Sequence, residues 1–158
     1  MCSKKSTHFL RTSLLKRRTI KLVPDTLTKE QRSKCMAANR GKNTTPERIV
    51  RSVLHSLGYR YRLHQATLPG KPDLVLPRLN IVVLIHGCFW HSHKCKRGRS
   101  TPSSNVAFWQ KKRTGTVARD RRTIAALRRT GWRVLVVWEC QIANRERLSE
   151  RLHRFLNA

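Results

Sequence analysis

The apolar positions of this chain fall into segments of two different periods. Ile49, Val50, Val53, Leu54 and Leu57 recur at helical spacing and form one stripe of an amphipathic helix. Thr45, Pro46 and Glu47 predict its start: a hydroxyl cap, a proline where no N–H is needed, and an acid at the positive end of the dipole. Gly58 predicts its end. The period then drops to two, with Tyr59, Tyr61 and Leu63 alternating with Arg60, Arg62 and His64 as on a half-buried strand. Turn residues at Pro69-Gly70-Lys71-Pro72 lead into a short strand, Asp73–Leu76, and a second turn at 77–80 precedes Ile81–Ile85. That last run is apolar without interruption, as expected for a strand covered on both faces, and Trp132–Trp138 has the same character. Residues 105–130 read as one or two basic helices with Val117, Ile124 and Leu127 inward, and an amphipathic helix runs from about Asn144 to Leu156. Ahead of all these, Thr28–Asn39 has a helix-forming composition that the RGKNT run breaks. The order of helix, helix, three strands, helix, strand, helix predicts an α/β fold, a mixed sheet flanked by helices.

The chain of 158 residues has room for one domain with a modest core. Residues 1–27 lack sustained periodicity and read as a basic, flexible N-terminal arm, leaving 28–158 as the folded domain. Thirty-five Lys and Arg against eight acids give a net charge of +27. Self-repulsion of that size calls for a polyanionic partner, and nucleic acid comes before an anionic membrane surface. No stretch reaches the roughly 20 apolar residues needed to span a bilayer. Residues 1–24 carry no acid, a composition that also suits a mitochondrial transit peptide. Five cysteines, an odd count without a secretory signal, point to a reducing interior rather than a disulfide framework.

Two groups of residues could carry chemistry. In HGCFWHSHKC, residues 86–95, three histidines and two cysteines crowd the mouth of a buried strand. Cys88, His93 and Cys95 can converge on one Zn²⁺, and Cys140, ending the WRVLVVW strand as Cys88 follows the IVVLI strand, is a candidate fourth ligand if the two strands are parallel neighbours. The plain alternative is ordinary buried cysteines beside surface histidines. The second group is acidic. Asp73 follows Pro72 at a strand start and Glu47 opens the preceding helix, and phosphodiester hydrolysis generally wants such oxygen ligands for Mg²⁺. Pro-Asp is the opening half of the restriction-endonuclease pattern PD-(D/E)xK, but no Glu-x-Lys or Asp-x-Lys follows; the next strand delivers His86 and then His91, a pair able to do acid and base work. Taken singly, Asp73 reads equally as a turn residue and Glu47 as a dipole-compensating one. Phe89, Trp90 and Trp109 stand in the most basic, irregular region, either as apolar wedges between base steps or, for Trp109 especially, as a satellite core.

Together these segments resemble the very short patch repair (Vsr) endonucleases. The resemblance rests on RGKNT (40–44) with Thr45-Pro46-Glu47, LPGKPDLVLP (68–77), HGCFWHSHKC (86–95), FW (108–109), ARDRR (118–122) and GWRVLVVWEC (131–140), in the family's order over about residues 28–152. It implies a restriction-endonuclease-like fold with a structural zinc, and an enzyme that nicks one strand 5′ to the thymine of a T·G mismatch left by 5-methylcytosine deamination. By the same resemblance Asp73 and the Ile85 backbone carbonyl would bind the catalytic Mg²⁺, and His91 would be the general base. His86 and Glu47 would support the metal-water cluster and the phosphate. Cys88, His93, Cys95 and Cys140 would hold Zn²⁺, and Phe89, Trp90 and Trp109 would form the DNA wedge. The implied setting is a monomer in the bacterial cytoplasm, at the nucleoid, on double-stranded DNA and working with mismatch-repair proteins, with no membrane partner. None of the quoted segments falls in the arm, 1–27. Two other readings remain at this point: a restriction or toxin-like nuclease acting on matched DNA, and a zinc-stabilised nucleic-acid-binding module without catalysis.

Overall fold

The computed structural model describes residues 41–158 together with Thr28, Glu30, Gln31, Ser33 and Lys34. The basic arm, Cys2, Cys35 and most of the helix expected over Thr28–Asn39 lie outside the described residues. Within residues 41–158 the principal elements are helix α1 (Thr45–Ser56), strands β1 (Arg62–Leu63), β2 (Leu74–Leu76) and β3 (Ile81–His86), helix α2 (Val106–Arg129), strand β4 (Arg133–Trp138) and helix α3 (Arg145–Asn157).

The four strands form one mixed sheet in the order β1-β2-β3-β4. β1 and β2 pair antiparallel, as do β2 and β3, whereas β3 and β4 are parallel with Ile85 opposite Val137 and His86 opposite Trp138. A parallel pair needs a long crossover, and α2 supplies it as one helix of 24 residues rather than two.

β2, β3 and β4 are largely apolar because both faces of the sheet are covered there, whereas β1 is exposed. Successive side chains point to opposite faces, and the core divides accordingly. Leu74, Leu76, Ile81, Val83, Leu135 and Val137 meet Val50, Val53 and Leu54 of α1 and Leu148, Leu152 and Leu156 of α3. Val75, Val82, Leu84 and Val134 meet Leu127 of α2, with Leu68, Ile124 and Trp132 packed around them. At roughly 1.5–3 kcal/mol for each large aliphatic side chain taken from water, these two layers supply the main driving force for folding.

Two local expectations shift. The cap of α1 is Thr44, not Thr45: Thr44 Oγ1 accepts from the Glu47 N–H while the Glu47 carboxylate accepts from the Thr44 N–H, a reciprocal capping box. The strand expected over Tyr59–Leu63 shrinks to Arg62–Leu63, because Tyr59 and Tyr61 pack on the α1 side of the core instead of pairing. Gly58, at φ +83°, stops α1 as its sequence position implied.

Candidate active site and metal centre

The parallel pairing of β3 and β4 brings both strand ends to one edge of the sheet, and the chemistry gathers there. A cleft of about 740 Å³ is lined by Glu47, Asp73, Ile85, His86, His91, Asp120 and Glu139, with Lys71, Lys112 and Arg119 adding positive charge. The sequence-predicted Asp73, Ile85, His86, His91 and Glu47 therefore share one concavity.

Asp73 is carried in by the antiparallel β2–β3 pair. Its Oδ2 accepts a 2.7 Å hydrogen bond from the Ile85 N–H, which ties the carboxylate to the strand that ends in His86. The N–H and C=O of one residue in an extended strand point to the same side, so the Ile85 carbonyl faces Asp73 as well. Burial pushes the Asp73 carboxyl above its ordinary value; the Ile85 hydrogen bond opposes this, nearby Glu47 adds to it, and His64 and Arg51 reduce it. A buried carboxylate fixed in this way fits a cation ligand.

Glu47 is 4 % exposed. Besides capping α1 it accepts from the Asn43 N–H at 3.1 Å and from Arg51 Nη2 at 2.7 Å. His64 Nε2 lies 3.2 Å from the same Arg51 nitrogen, and one donor atom each from Glu47, His64 and Asp73 falls within 4.8 Å of the others. The sequence pattern marks His64 only as the polar member of a strand alternation. Its backbone is left-handed (φ +45°), which turns it away from that role.

His86 and His91 stack, with ring centroids 3.9 Å apart and planes 11° from parallel. Burial lowers the His86 pKa from 6.5 to about 4, helped by the neighbouring His91 and opposed by Asp120. His86 is thus neutral near pH 7. His91 Nδ1 lies 2.6 Å from Asp120 Oδ2. An ionised carboxylate only accepts, so the proton sits on Nδ1 and the lone pair is left on Nε2, the tautomer a general base needs. Nothing in the spacing of the apolar and ligand residues marks Asp120; its one signal is an acid flanked by arginines in ARDRR, on a helix that otherwise lacks acids.

Beside the cleft, Cys88, His93, Cys95 and Cys140 put their ligand atoms within 4.8 Å of one another. His93 Nδ1 is 3.8 Å from Cys88 Sγ and 3.5 Å from Cys140 Sγ. A tetrahedral zinc with ordinary bond lengths gives an N–S edge of about 3.6 Å, so the donor set fits the ion. Burial pushes the Cys88 thiol up to about 12, whereas His93 and the Gly98 N–H draw Cys95 down to about 6. Gly98 is buried in this loop, where any Cβ would drive into the His93 and Cys88 carbonyls. Arg113 of α2 clamps the loop from outside, bonding Ser92 Oγ at 3.1 Å, the Ser100 carbonyl at 2.9 Å and the Gly98 carbonyl, with its guanidinium 5.0 Å from the Phe89 ring. Glu139 links the loop to the end of β4 by accepting from the Cys88 N–H at 3.3 Å and from Arg97 at 2.7 Å.

Phe89, Trp90 and Trp109 meet edge-on or tilted, with centroids 5.2–5.8 Å apart. Trp109 is 9 % exposed and anchors the group as a small core, while Phe108 beside it stands 57 % exposed. Among the described residues, no helix is long and apolar enough to cross a membrane.

Residues 24–97 match the family model described as DNA mismatch endonuclease Vsr. The chain is 41% identical over 128 residues to the DNA mismatch endonuclease Vsr of Escherichia coli K12, an alignment covering 81% of each protein. The chain belongs to the Vsr family. It is also 47% identical over 135 residues to the type II nicking enzyme V.XorIIP of Xanthomonas oryzae pv. oryzae, covering 85% of this chain and 98% of that relative. The Vsr fold of this chain is similar to the catalytic domain of the homing endonuclease I-Bth0305I, with a TM-score of 0.51 at 19% identity, over 72% of this chain and 94% of that one. As a Vsr-family protein the chain is a DNA endonuclease, and the reading as a binding module without catalysis falls.

Proposed function

We propose that this endonuclease nicks one strand of duplex DNA 5′ to the thymine of a T·G mismatch, beginning very short patch repair of deaminated 5-methylcytosine. The observation that carries the chemistry is the 2.6 Å His91–Asp120 pair set in the same cleft as Asp73.

In this reading Asp73 and the Ile85 carbonyl would hold a divalent ion, Mg²⁺ in the first instance. Bound there, the ion would offset phosphate charge and make water more acidic. His91 Nε2 takes the proton of the attacking water, and Asp120 keeps the ring oriented and stabilises the imidazolium that forms. His86, neutral at working pH, stacks on His91 without opposing that charge and has an N–H to offer the phosphate. Glu47 holds the near wall of the cleft. Lys71, Lys112 and Arg119 attract the backbone. Cys88, His93, Cys95 and Cys140 would hold Zn²⁺, which would help order the loop carrying Phe89, Trp90 and His91 by offsetting the conformational entropy lost by so long a segment. The aromatic cluster then works as a wedge that unstacks DNA beside the weakly stacked mispair.

The test is nicking of two duplexes of one sequence, carrying T·G or T·A at a single position, by wild type, Asp73→Ala and His91→Ala. Wild type is expected to cut the T·G duplex alone and both variants to be severely impaired. Equal cutting of both duplexes would replace mismatch repair with nicking of matched DNA, and equal activity of all three proteins would remove the catalytic assignment.

A further inference from the structure

Two side chains, Glu47 and His64, converge on Asp73, and the proposed mechanism gives His64 no role. Glu47, His64 and Asp73 each bring one donor atom to a common point, within 4.8 Å of one another, and Arg51 stands among them. Arg51 is pinned by Glu47 Oε2 at 2.7 Å and Asn43 Oδ1 at 2.6 Å, and the same Nη2 faces His64 Nε2 at 3.2 Å. Guanidinium nitrogens only donate and stay charged. As a hydrogen bond this contact makes His64 Nε2 the acceptor, with Glu47 Oε2 3.7 Å from the same nitrogen, so the lone pair faces the cluster as a metal ligand's does. The left-handed backbone at His64 aims the ring there at some conformational cost.

We propose that His64 and Glu47 join Asp73 as side-chain ligands of the divalent-ion site, beside the Ile85 carbonyl, and that Arg51 is a resident cation the incoming ion displaces. Two consequences follow from chemistry alone. An imidazole ligand shifts the preference of an oxygen site from Mg²⁺ towards Mn²⁺ and its transition-metal neighbours. A guanidinium at the same carboxylate competes with any divalent ion and weakens its binding. Both rest on the reading of Asp73 as a metal ligand, and the experiment separates the two ideas.

The measurement is Mn²⁺ binding to zinc-loaded full-length protein, followed by the electron paramagnetic resonance of free Mn²⁺, with Mg²⁺ as competitor. Spin-echo modulation from ¹⁴N on the bound ion gives a second readout. Wild type should bind Mn²⁺ more tightly than Mg²⁺ and show nitrogen coupling. His64→Gln keeps an acceptor for Arg51 but is a poor ligand; it should lose about tenfold in Mn²⁺ affinity, change little towards Mg²⁺, and lose the coupling. Arg51→Met should bind both ions more tightly, with circular dichroism and thermal melting confirming the fold. Asp73→Asn should bind neither. If His64→Gln retains affinity and coupling while Asp73→Asn loses both, the His64 assignment is overturned and the Asp73 site stands. If Asp73→Asn binds Mn²⁺ as wild type does, the metal reading of Asp73 fails and this proposal with it. Weaker binding in Arg51→Met would show Arg51 to be a support for Glu47, and would overturn its role as the displaced cation.

Discussion

Replacing Asp120 by alanine isolates the proposed base from its orienting partner. In the free protein the contact is a 2.6 Å hydrogen bond between His91 Nδ1 and Asp120 Oδ2, with side chains 20% and 18% exposed. A hydrogen bond to a charged group contributes about 1.5–3 kcal/mol, and its strength grows as the imidazole becomes imidazolium in the transition state. At about 1.4 kcal/mol per decade that is roughly 10- to 100-fold in rate. Partial solvent access places the expectation in the lower half, about 10- to 30-fold. The assay is single-turnover nicking of a labelled T·G duplex at saturating enzyme, so that the chemical step is read apart from binding. Asp120→Ala should slow that step without weakening the complex. In a His91→Ala background the same change should cost under about twofold, because a residue acting through another loses its effect once that other is gone. Equal, independent losses in the two backgrounds would refute the argument, since Asp120 would then act on substrate by itself.

Two further outcomes are expected. Purified protein should carry one zinc per chain, and Gly98→Ala should lower that occupancy and the melting temperature together, since the new methyl meets two backbone carbonyls that cannot yield; full zinc content with unchanged melting would contradict the loop packing. His86 supplies a pH test. Its folded pKa, about 4, lies below the ordinary 6.5, so between those values the unfolded chain takes up a proton that the folded one refuses, and stability falls as pH falls. Denaturant titrations without added Mg²⁺ should show wild type losing up to about 1.4 kcal/mol per pH unit within that window relative to His86→Asn, and parallel pH profiles would rule this out.

The parts of this fold that could be read from sequence are those set by uninterrupted apolar runs or by ligands close together in the chain. Ile81–Ile85 and Val134–Val137 are long enough and apolar enough to require covered strands, and parallel pairing of the two brings Cys140 to Cys88. Residues that act at a distance were harder. Asp120 lies 29 positions after His91, on the polar side of a basic helix, where a lone acid reads as solvated surface. His64 was absorbed into an alternation that the structure ends after two paired residues. Arg51, one of many arginines, becomes distinctive only when Glu47 and His64 close around it. The one-residue shift of the α1 cap has a local cause: Thr44 and Thr45 are chemically equal, and the reach of the Glu47 side chain back to the Thr44 N–H decides between them.

That last interaction bears on how any mutagenesis of Glu47 should be interpreted. One carboxylate closes the first turn of α1, holds the preceding bend through Asn43, and faces the cluster beside Asp73. Its conformation is therefore fixed by the framework before substrate or ion arrives, at no further entropic expense. Aspartate, one methylene shorter, could not reach backwards and forwards at once, so even this mild exchange would disturb helix and cleft together. Loss of activity in a Glu47 variant would say little about chemistry unless the helix start were first shown to be intact.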